Sequence, residues 1–553
     1  MSLVTDVYTL PAVAEYVVRQ SWDGTGAFDG PYDDVSDDVK GQPGVAVERG
    51  RDQGRGIGGA IVPRATWTLD NESRRYATEY SGSPIHNQLE PGRPCTIGAV
   101  IGGDVTMGDE VAAMGDPEAL MGGAAEIPIF TGITEEPDET YGIGRRTVSV
   151  SALGLMRRLR GVAITIGYQA NITTGAAMIL AYEAAGLTAD QYVVDDDVID
   201  HGRHLLHYYV DGRDAWEVCR EIWATEGPPA AQYEDAQGRV HFEGRNYRTL
   251  AERWQVVQAI YSDTDVSRES STMGDPLVTM GDQRVAMGGS GVSLFHTDVQ
   301  YRPSYWSVIN DMSIEVDQRA AQSVQQVWQA SGPLVLAADE TRELIARVTD
   351  PITSIQTPVV TTDFVLGAGS LASVTVTSLG PLAAKITLVA GAGGATVNPS
   401  GSNTGIQLRA SPVTVVSTVA AQPTVDPSDS QAEFGVRGLP SGLSIWRGLS
   451  VEEAAGLCDG YLIAYPRPRS VITMTVENAT GLLLREILER EIGDRIHVVD
   501  AWSGIDLDVT IEQISHAITS GGRHVAVFTC ERVVELDWAL WDVGRFDQDR
   551  FGQ

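Results

Sequence analysis

The passage from Val47 to Tyr80 constrains the fold of this chain more than any other. Ala65-Thr66-Trp67-Thr68-Leu69 alternates small or polar residues with apolar ones and is rich in β-formers, and Asp70-Asn71 closes it as a turn. It reads as a half-buried strand that ends in a loop. The same passage carries Gly54, Gly56 and Gly59 in G-x-G-x-x-G spacing. In a nucleotide site such glycines leave a strand and open a helix, so that the amide dipoles face phosphate. Here they run into Ala60-Ile61-Val62-Pro63 and then a strand. Pro63 and its β-branched neighbours leave no helix N-terminus for a pyrophosphate, and the dinucleotide reading is set aside.

At 553 residues the chain has room for several cores, three or four domains. Its 43% hydrophobic content describes a soluble globular protein, and no run of about 18 apolar residues could span a bilayer. The opening MSLVTDVYTLPAVAEYVVRQ lacks a basic start and is broken by Asp6 and Pro11, which is not a secretory signal. Cys95, Cys219, Cys458 and Cys530 are scattered without C-x-x-C spacing, which fits reduced, packed thiols better than a disulfide framework or a zinc site. A formal net charge of -34 argues against a surface that grips nucleic acid, because phosphate binding needs clustered Lys and Arg. It is the sign expected of a surface that lets DNA pass without sticking. Lysine occurs only at positions 40 and 385 while Arg is plentiful, a bias read as that of a high-GC genome.

Short strands are expected at Tyr16-Ser21, Ala65-Leu69, Cys95-Val100, Ile127-Ile133 and Thr147-Ser151, spaced by Gly, Pro and Asp turns as in a barrel or sandwich, with a short helix over Leu153-Leu159. A compositional shift follows. Thr174-Gly186 is Ala-rich and helical with a glycine stop, and Asp214-Glu226 is a stronger helix. In the second, Ala215, Val218, Cys219, Ile222 and Trp223 make one stripe, and Asp214 with Glu217 has capping-box spacing. Gln232-Glu234 and Val240-Glu243 read as a hairpin. Tyr305-Asp317 is expected as a strand pair with a turn at Asn310-Asp311, and the strand pattern resumes at Val471-Glu477. Between them, Gly332 to about Ser430 is rich in Thr, Val, Gly and Ser with few charges, an inserted β-sandwich-like module. Ser450-Tyr465 is a helix with a Ser450/Glu453 capping box. Closing strands are expected at Ile487-Glu489, Gly493-Val498, Ile511-His516 and Val525-Phe528.

These passages, taken in order, resemble a known family. The turn Trp22-Asp23-Gly24-Thr25-Gly26, the segment Asp34-Val39, the basic and Gly-rich stretch before "TWTLDN", and "FTGITEEPDE…RRTVSVSALGLMRRL" are similar to the N-terminal half of the baseplate hub proteins of actinobacteriophages. These are often labelled minor tail proteins or tail-associated proteins. "AQYEDAQGRVHFEGR" resembles the small α/β domain between their two barrels, and "IGDRIHV…IEQISHAI…HVAVFT" their closing strands. The resemblance implies an α+β, predominantly β fold with two hub-type β-barrel domains. The first is 1–165, with an insertion at 105–124; a small α/β spacer is 166–250. The second barrel is discontinuous, 251–331 and 431–535, with an insertion at 271–290; the inserted β module is 332–430 and a C-terminal tail is 536–553. It further implies a homotrimeric, non-enzymatic virion component, made in the host cytoplasm without a signal peptide and located at the tail tip. Such a hub adapts a six-fold tail tube to a three-fold tip and forms part of the DNA ejection channel. Its partners would be the distal tail protein, the tape measure protein and other tail-tip proteins, with DNA passing transiently through the lumen. The inserted module could also face a host cell-wall glycan. The competing class is an adhesin or carbohydrate-binding protein, favoured by the Thr/Gly/Val-rich insert and by 11 Trp that could stack on sugars.

One feature is peculiar to this chain. Thr106-Met107-Gly108-Asp109, Met114-Gly115-Asp116 and Met121-Gly122-Gly123 share a seven-residue beat with Thr272-Met273-Gly274-Asp275, Met280-Gly281-Asp282 and Met287-Gly288-Gly289. Glycine after every Met and Pro117 or Pro276 nearby disfavour a coiled coil, so a turn at each Gly-Asp with Met as the buried knob is the better reading. The two segments are expected to be matching insertions that pair through their Met side chains.

No catalytic, cofactor-binding or metal-ligating residue is assigned. His201, His204 and His207 form H-x-x-H-x-x-H, but on a strand His204 and His207 point to opposite faces, and a zinc site needs a fourth ligand in a closed geometry. Asp195-Asp196-Asp197 and Asp33-Asp34 with Asp37-Asp38 lack the alternating spacing of a calcium loop and read as solvated acidic loops. Among 74 acidic residues no pair stands out as a glycosidase couple, and neither G-x-S-x-G nor H-E-x-x-H occurs.

Overall fold

The computed structural model describes residues 14–41, 44–52, 59–101, 126–142, 145–250, 254, 256–263, 269–270, 285–286, 294–398, 405–440, 443–519, 521–533, 538–539 and 550–551. Gly54, Gly56 and the Met-Gly-Asp segments at 105–124 and 271–290, save Val285 and Ala286, lie outside the described residues, and so does the expected pairing of their Met side chains.

The fold is predominantly β. The first region contributes β1 (Glu15–Gln20), β2 (Val45–Gly50), β3 (Arg64–Asp70), β4 (Pro94–Val100), β5 (Glu126–Thr134), β6 (Asp138–Gly142) and β7 (Arg145–Leu153). All five strands expected from the sequence are here, and β3 shows the alternation most clearly. In β3, Ala65, Trp67 and Leu69 are buried while Thr66, Thr68 and Asp70 are half-buried. The order is β1-β4-β5-β7-β3-β2, with β6 on β7.

The middle of the chain is mixed: β8 (Ala163–Thr173), α1 (Thr174–Ala184), β9 (Tyr192–Val194), α2 (Asp196–His201), β10 (His204–Asp214), α3 (Ala215–Glu226), β11 (Ala231–Glu234) and β12 (Val240–Glu243). Both expected helices form. The Asp214 carboxylate caps α3 by accepting from Glu217 N at 3.2 Å, and its apolar stripe, Val218, Cys219, Ile222 and Trp223, is buried. β11 and β12 form the expected hairpin, and β9 adds to β12 in parallel.

The later strands are β13 (Ala259–Ser262), the two-residue β14 (Glu269–Ser270), β15 (Val285–Ala286) and β16 (Leu294–Phe295), and β17 (Asp298–Ser304). Then come β18 (Ile314–Ala321), β19 (Gln325–Gln329), β20 (Leu334–Leu336), β21 (Thr341–Arg347), β22 (Ile352–Gln356), β23 (Leu366–Gly380), β24 (Ala383–Val397) and β25 (Gln407–Ala421). The chain finishes with the helix Val451–Ala464, β26 (Arg469–Glu477), the helix Gly481–Glu489, β27 (Arg495–Asp500), β28 (Ile505–Ile518), β29 (His524–Arg532) and the two-residue β30 (Trp538–Ala539) and β31 (Arg550–Phe551). β18 to β25 make two four-stranded sheets that pair only within this set among the described residues, and Leu336, Ile386, Leu388 and Leu408 from both sheets share one core.

Three expectations are corrected. Tyr305–Asp317 is not a strand pair: Tyr305–Ser307 is a 3-10 turn and the strand starts at Ile314. Asn310 does not turn a hairpin because it is buried and its amide is committed to distant partners, Ser430 Oγ at 3.0 Å and Gly435 O at 2.9 Å. Ile487-Leu488-Glu489 is not a closing strand but the end of the helix Gly481–Glu489. Thr480 caps that helix, and Leu483, Leu484, Ile487 and Leu488 fall on its buried face. Finally, no set of continuous ladders closes into a barrel among the described residues: the strand path ends at β1, which pairs only with β4, and β2 joins both regions into one 14-stranded sheet.

Candidate functional site

The two β regions meet along β2. One edge of β2 pairs with β3, and the other pairs antiparallel with β28 from Val45↔Ile518 to Gly50↔Gln513. Close approach at its end depends on Gly50, whose φ of +123° a side chain rarely adopts and whose Cβ would stand 2.3 Å from Glu512 O.

Immediately after β2, Arg51 enters a buried charged junction. Its Nη1 donates to Glu512 Oε2 at 2.8 Å, and Arg248 Nη2 donates to the same oxygen at 3.3 Å. Glu512 is fully buried. Burial alone would raise its pKa, but the Arg248 and Arg51 guanidiniums outweigh burial and hold the carboxyl below its ordinary range. Arg248 also faces Glu243 at 3.8 Å, and Arg469 pairs with Glu531. Aromatic rings cover the cations: Arg51 stands 5.5 Å from the Trp223 ring, Arg248 4.6 Å from Trp254 and Arg469 4.6 Å from Tyr465. The cavity left between them is about 40 Å³, space for little more than water. This arrangement clamps the first β region (Arg51), the middle of the chain (Trp223, Arg248) and the last strands (Glu512, Glu531) in one paired set.

A second polar link spans the same boundary. His516 Nδ1 lies 2.9 Å from His524 Nε2, and His524 Nδ1 lies 2.9 Å from Tyr16 OH on β1. Burial pushes the His524 pKa down to about 3. Burial, with His524 and Arg49 nearby, holds His516 well below its ordinary value. Both rings are therefore neutral at pH 7.

An open groove of about 350 Å³ lies between β10 and the inserted strands, with His207, Tyr209, Asp317, Arg319 and Trp446 on its walls. Arg319 stands 5.5 Å from the Tyr209 ring and donates to Val413 O at 2.9 Å, so it ties the inserted strands to β10.

The residues weighed from the sequence have separate partners. His201 Nδ1 is 3.0 Å from Asp197 Oδ1, His207 Nδ1 is 2.8 Å from Tyr168 OH, and His204 is exposed. Asp195 accepts from Asp197 N at 3.2 Å as the cap of α2. Asp33 accepts from Gly30 N, Asp34 from Ser36 N, and Asp38 from Tyr76 OH at 2.6 Å. Among the described residues no group of three or more His, Cys, Asp or Glu is placed to hold a metal ion. The four cysteines are free and buried, and burial pushes the Cys458 thiol up to about 11 and the other three higher. Gly59 precedes the Ala60 bridge to Arg51, not a helix. The junction itself was missed by sequence reading. Arg51 and Glu512 are 461 residues apart, and no local spacing marks either.

No family model matches the sequence, and no curated protein matches it. Among solved structures, the chain is similar to the 43 kDa tail protein of prophage MuSo2 from Shewanella oneidensis, with 12% identity, a TM-score of 0.41, and 94% of this chain and 98% of that chain covered. It is also similar to the tail protein from Neisseria meningitidis MC58, with 9% identity, a TM-score of 0.40 and coverages of 94% and 96%. A third is prophage tail protein gp18 from Listeria monocytogenes EGD-e, with 8% identity, a TM-score of 0.38 and coverages of 94% and 95%. No helix among the described residues is long and apolar enough to cross a membrane.

Proposed function

We propose that this chain is the structural, non-enzymatic hub of a bacteriophage tail tip or baseplate, of the kind found in actinobacteriophages. It acts as a homotrimer. Two like β units per subunit, in three copies, mimic six-fold symmetry and adapt the tail tube and distal tail ring to a three-fold tip. The tape measure protein and other tail-tip proteins are its neighbours, and its lumen is part of the path that DNA takes at ejection.

The observation that carries this reading is that two β units, each bent back toward itself, share the strand β2. In the first unit, the segment before β2 returns to β1 and β3: Gln20 N donates to Asp33 O at 2.8 Å, Val35 N to Val18 O at 2.9 Å and Lys40 N to Thr68 O at 2.7 Å. In the second, β16 pairs with β13 while β17, which follows it directly, pairs with β26, so one bent strand links the two ends of β13-β27-β28-β29-β26. Each unit is therefore barrel-like without continuous ladders. The clamp of Arg51, Arg248 and Glu512 supports the reading too, because a hub that transmits force needs its units fixed to one another.

The acidic excess fits such a hub. A bore lined with carboxylates repels DNA and lets it pass, and the formal charge of -34 supplies them. Mass measurement of the purified chain tests the proposal: a species three times the 59.3 kDa chain is expected, and a monomer under all conditions, including mixture with purified tail tubes, sinks it. A map of the assembled particle with a neutral or basic bore would contradict the acidic lining.

A further inference from the structure

We propose that two strand edges of the inserted sheets, those of β23 and of the second half of β25, are the surfaces through which copies of this chain join head to tail. The inference rests on the trimer reading and names its interface.

β23 is 15 residues long and pairs with β24 along one edge. Among the described residues no strand is hydrogen-bonded to its other edge. Its register with β24 is regular from Ser373 to Ser378, where Thr375 and Thr377 are exposed while Val374 and Val376 pack inward. β25 is occupied differently along its length. β19 and β22 take residues 407–412, and β18 pairs with Val413–Ala421 along one edge. The opposite edge of Thr414–Ala420 has no strand beside it among the described residues, and Val415 and Val416 there are 41% and 66% exposed.

An open strand edge presents a row of amide and carbonyl groups that another strand can satisfy. Folded proteins usually block such edges with charged side chains. Neither edge carries any: the sequence is uncharged from Phe364 to Ala384 and again from Ala410 to Val425. β21, by contrast, carries Arg342 and Glu343 on exposed positions. The contrast decides what docks. At a net charge of -34, copies of this chain repel one another over most of their surface, so approach is least costly where charge is missing. A second copy brings an uncharged partner edge of its own. Because the two edges differ, β23 of one copy meets β25 of the next, a heterologous contact that does not end at a dimer and that, on the trimer reading, closes as a ring of three.

Full-length chain is tested by native mass spectrometry and light scattering. The wild type is expected as a trimer, and the variants Thr375→Lys/Thr377→Lys and Val416→Lys, each alone, as monomers with unchanged circular dichroism. An equimolar mixture of the two variants retains one intact pair of edges and is expected to give a 1:1 dimer. Hydrogen exchange on the wild-type trimer provides a check that needs no variant: the amides of Ser373–Ser378 and Thr414–Ala420 that face away from β24 and β18 are expected to be protected. Folded variants that stay trimeric, or rapid exchange at both edges in the trimer, overturn this interface while leaving the hub reading intact. A wild type that never exceeds a monomer overturns both.

Discussion

Glu512 on β28 accepts from Arg51 Nη1 at 2.8 Å, so a residue at the end of β2 reaches a carboxylate on one of the last strands. The pair is buried, at 6% and 0% side-chain exposure, and Arg248 completes it from the middle of the chain. Coulomb attraction at this site has to outweigh the cost of taking three charges from water, and it does so only while all three are present.

Removal of Glu512 leaves Arg51 and Arg248 facing each other without the carboxylate. Glu512→Ala is expected to lower the free energy of unfolding by about 3–5 kcal/mol, and Glu512→Gln by less, because its amide oxygen still accepts a hydrogen bond. Urea denaturation followed by tryptophan fluorescence measures it. A change under about 1 kcal/mol for the alanine variant would mean the junction does not clamp the β regions.

Gly50 tests the same seam through the backbone. Its φ is +123°, and an added Cβ would lie 2.3 Å from Glu512 O and 2.7 Å from Gln513 Cα, atoms that cannot yield without parting β2 from β28. Gly50→Ala is expected to cost roughly 2–5 kcal/mol. Gly92 also has a positive φ, +86°, with open space around it, so Gly92→Ala is expected to cost only about 1–2 kcal/mol from strain. Equal melting temperatures for the two variants would contradict the tight approach.

The buried histidines set an acid limit. The unfolded chain binds protons at His516 and His524 near the ordinary value of about 6.5, while burial holds both rings below it in the fold, His524 at about 3. Their contribution is fully present above pH 6.5 and is lost as the pH falls toward 3, since acid favours the state that takes up protons. Glu234 acts the opposite way. Burial raises its pKa to about 7, against amide donors at Leu155 and Met156, so its contribution is present below the unfolded carboxyl value and is lost as the pH rises through 7. A His516→Leu/His524→Phe variant is expected to show a shallower dependence of unfolding free energy on pH between 5.5 and 4.5, by about 2 kcal/mol per unit. Parallel curves for variant and wild type would exclude these rings as the source.

Asn310 holds the return of the inserted strands. Its Nδ2 donates to Ser430 Oγ and Gly435 O, and its Oδ1 accepts from Arg437 N at 2.7 Å, all from a fully buried position. Asn310→Ala strands these partners and is expected to destabilise by about 2–4 kcal/mol. Limited proteolysis is expected to cut first near residues 430–437, and an unchanged digestion pattern would argue against the role.

Much of the fold was legible in residue order. Strands such as Ala65–Leu69 announce themselves because alternation at period two puts Trp67 and Leu69 on one face whatever they pack against. The caps at Asp214 and Ser450 are equally local, a side-chain oxygen three residues before the amide it accepts from. Where the reading failed, a local pattern had two solutions. Ile487-Leu488-Glu489 is apolar enough for a strand, and only the helical stripe from Leu483 together with the Thr480 cap selects the helix. Asn310-Asp311 is a good turn dipeptide, and only the arrival of Ser430, Gly435 and Arg437 makes Asn310 a buried pin.

By itself, then, the sequence determined the β-rich class, the two central helices, the sparsely charged inserted stretch and the acidic character, since these follow from propensity, periodicity and composition within a short window. Tertiary structure alone decided that β2 is shared by both β units, that Arg51 and Arg248 converge on Glu512, and that His524 meets both His516 and Tyr16. Apart from the β2–β3 and His516–His524 pairs, those contacts join residues hundreds of positions apart. Their partners are chosen by strand register and by the exclusion of water from the junction, and neither quantity exists until the chain has folded.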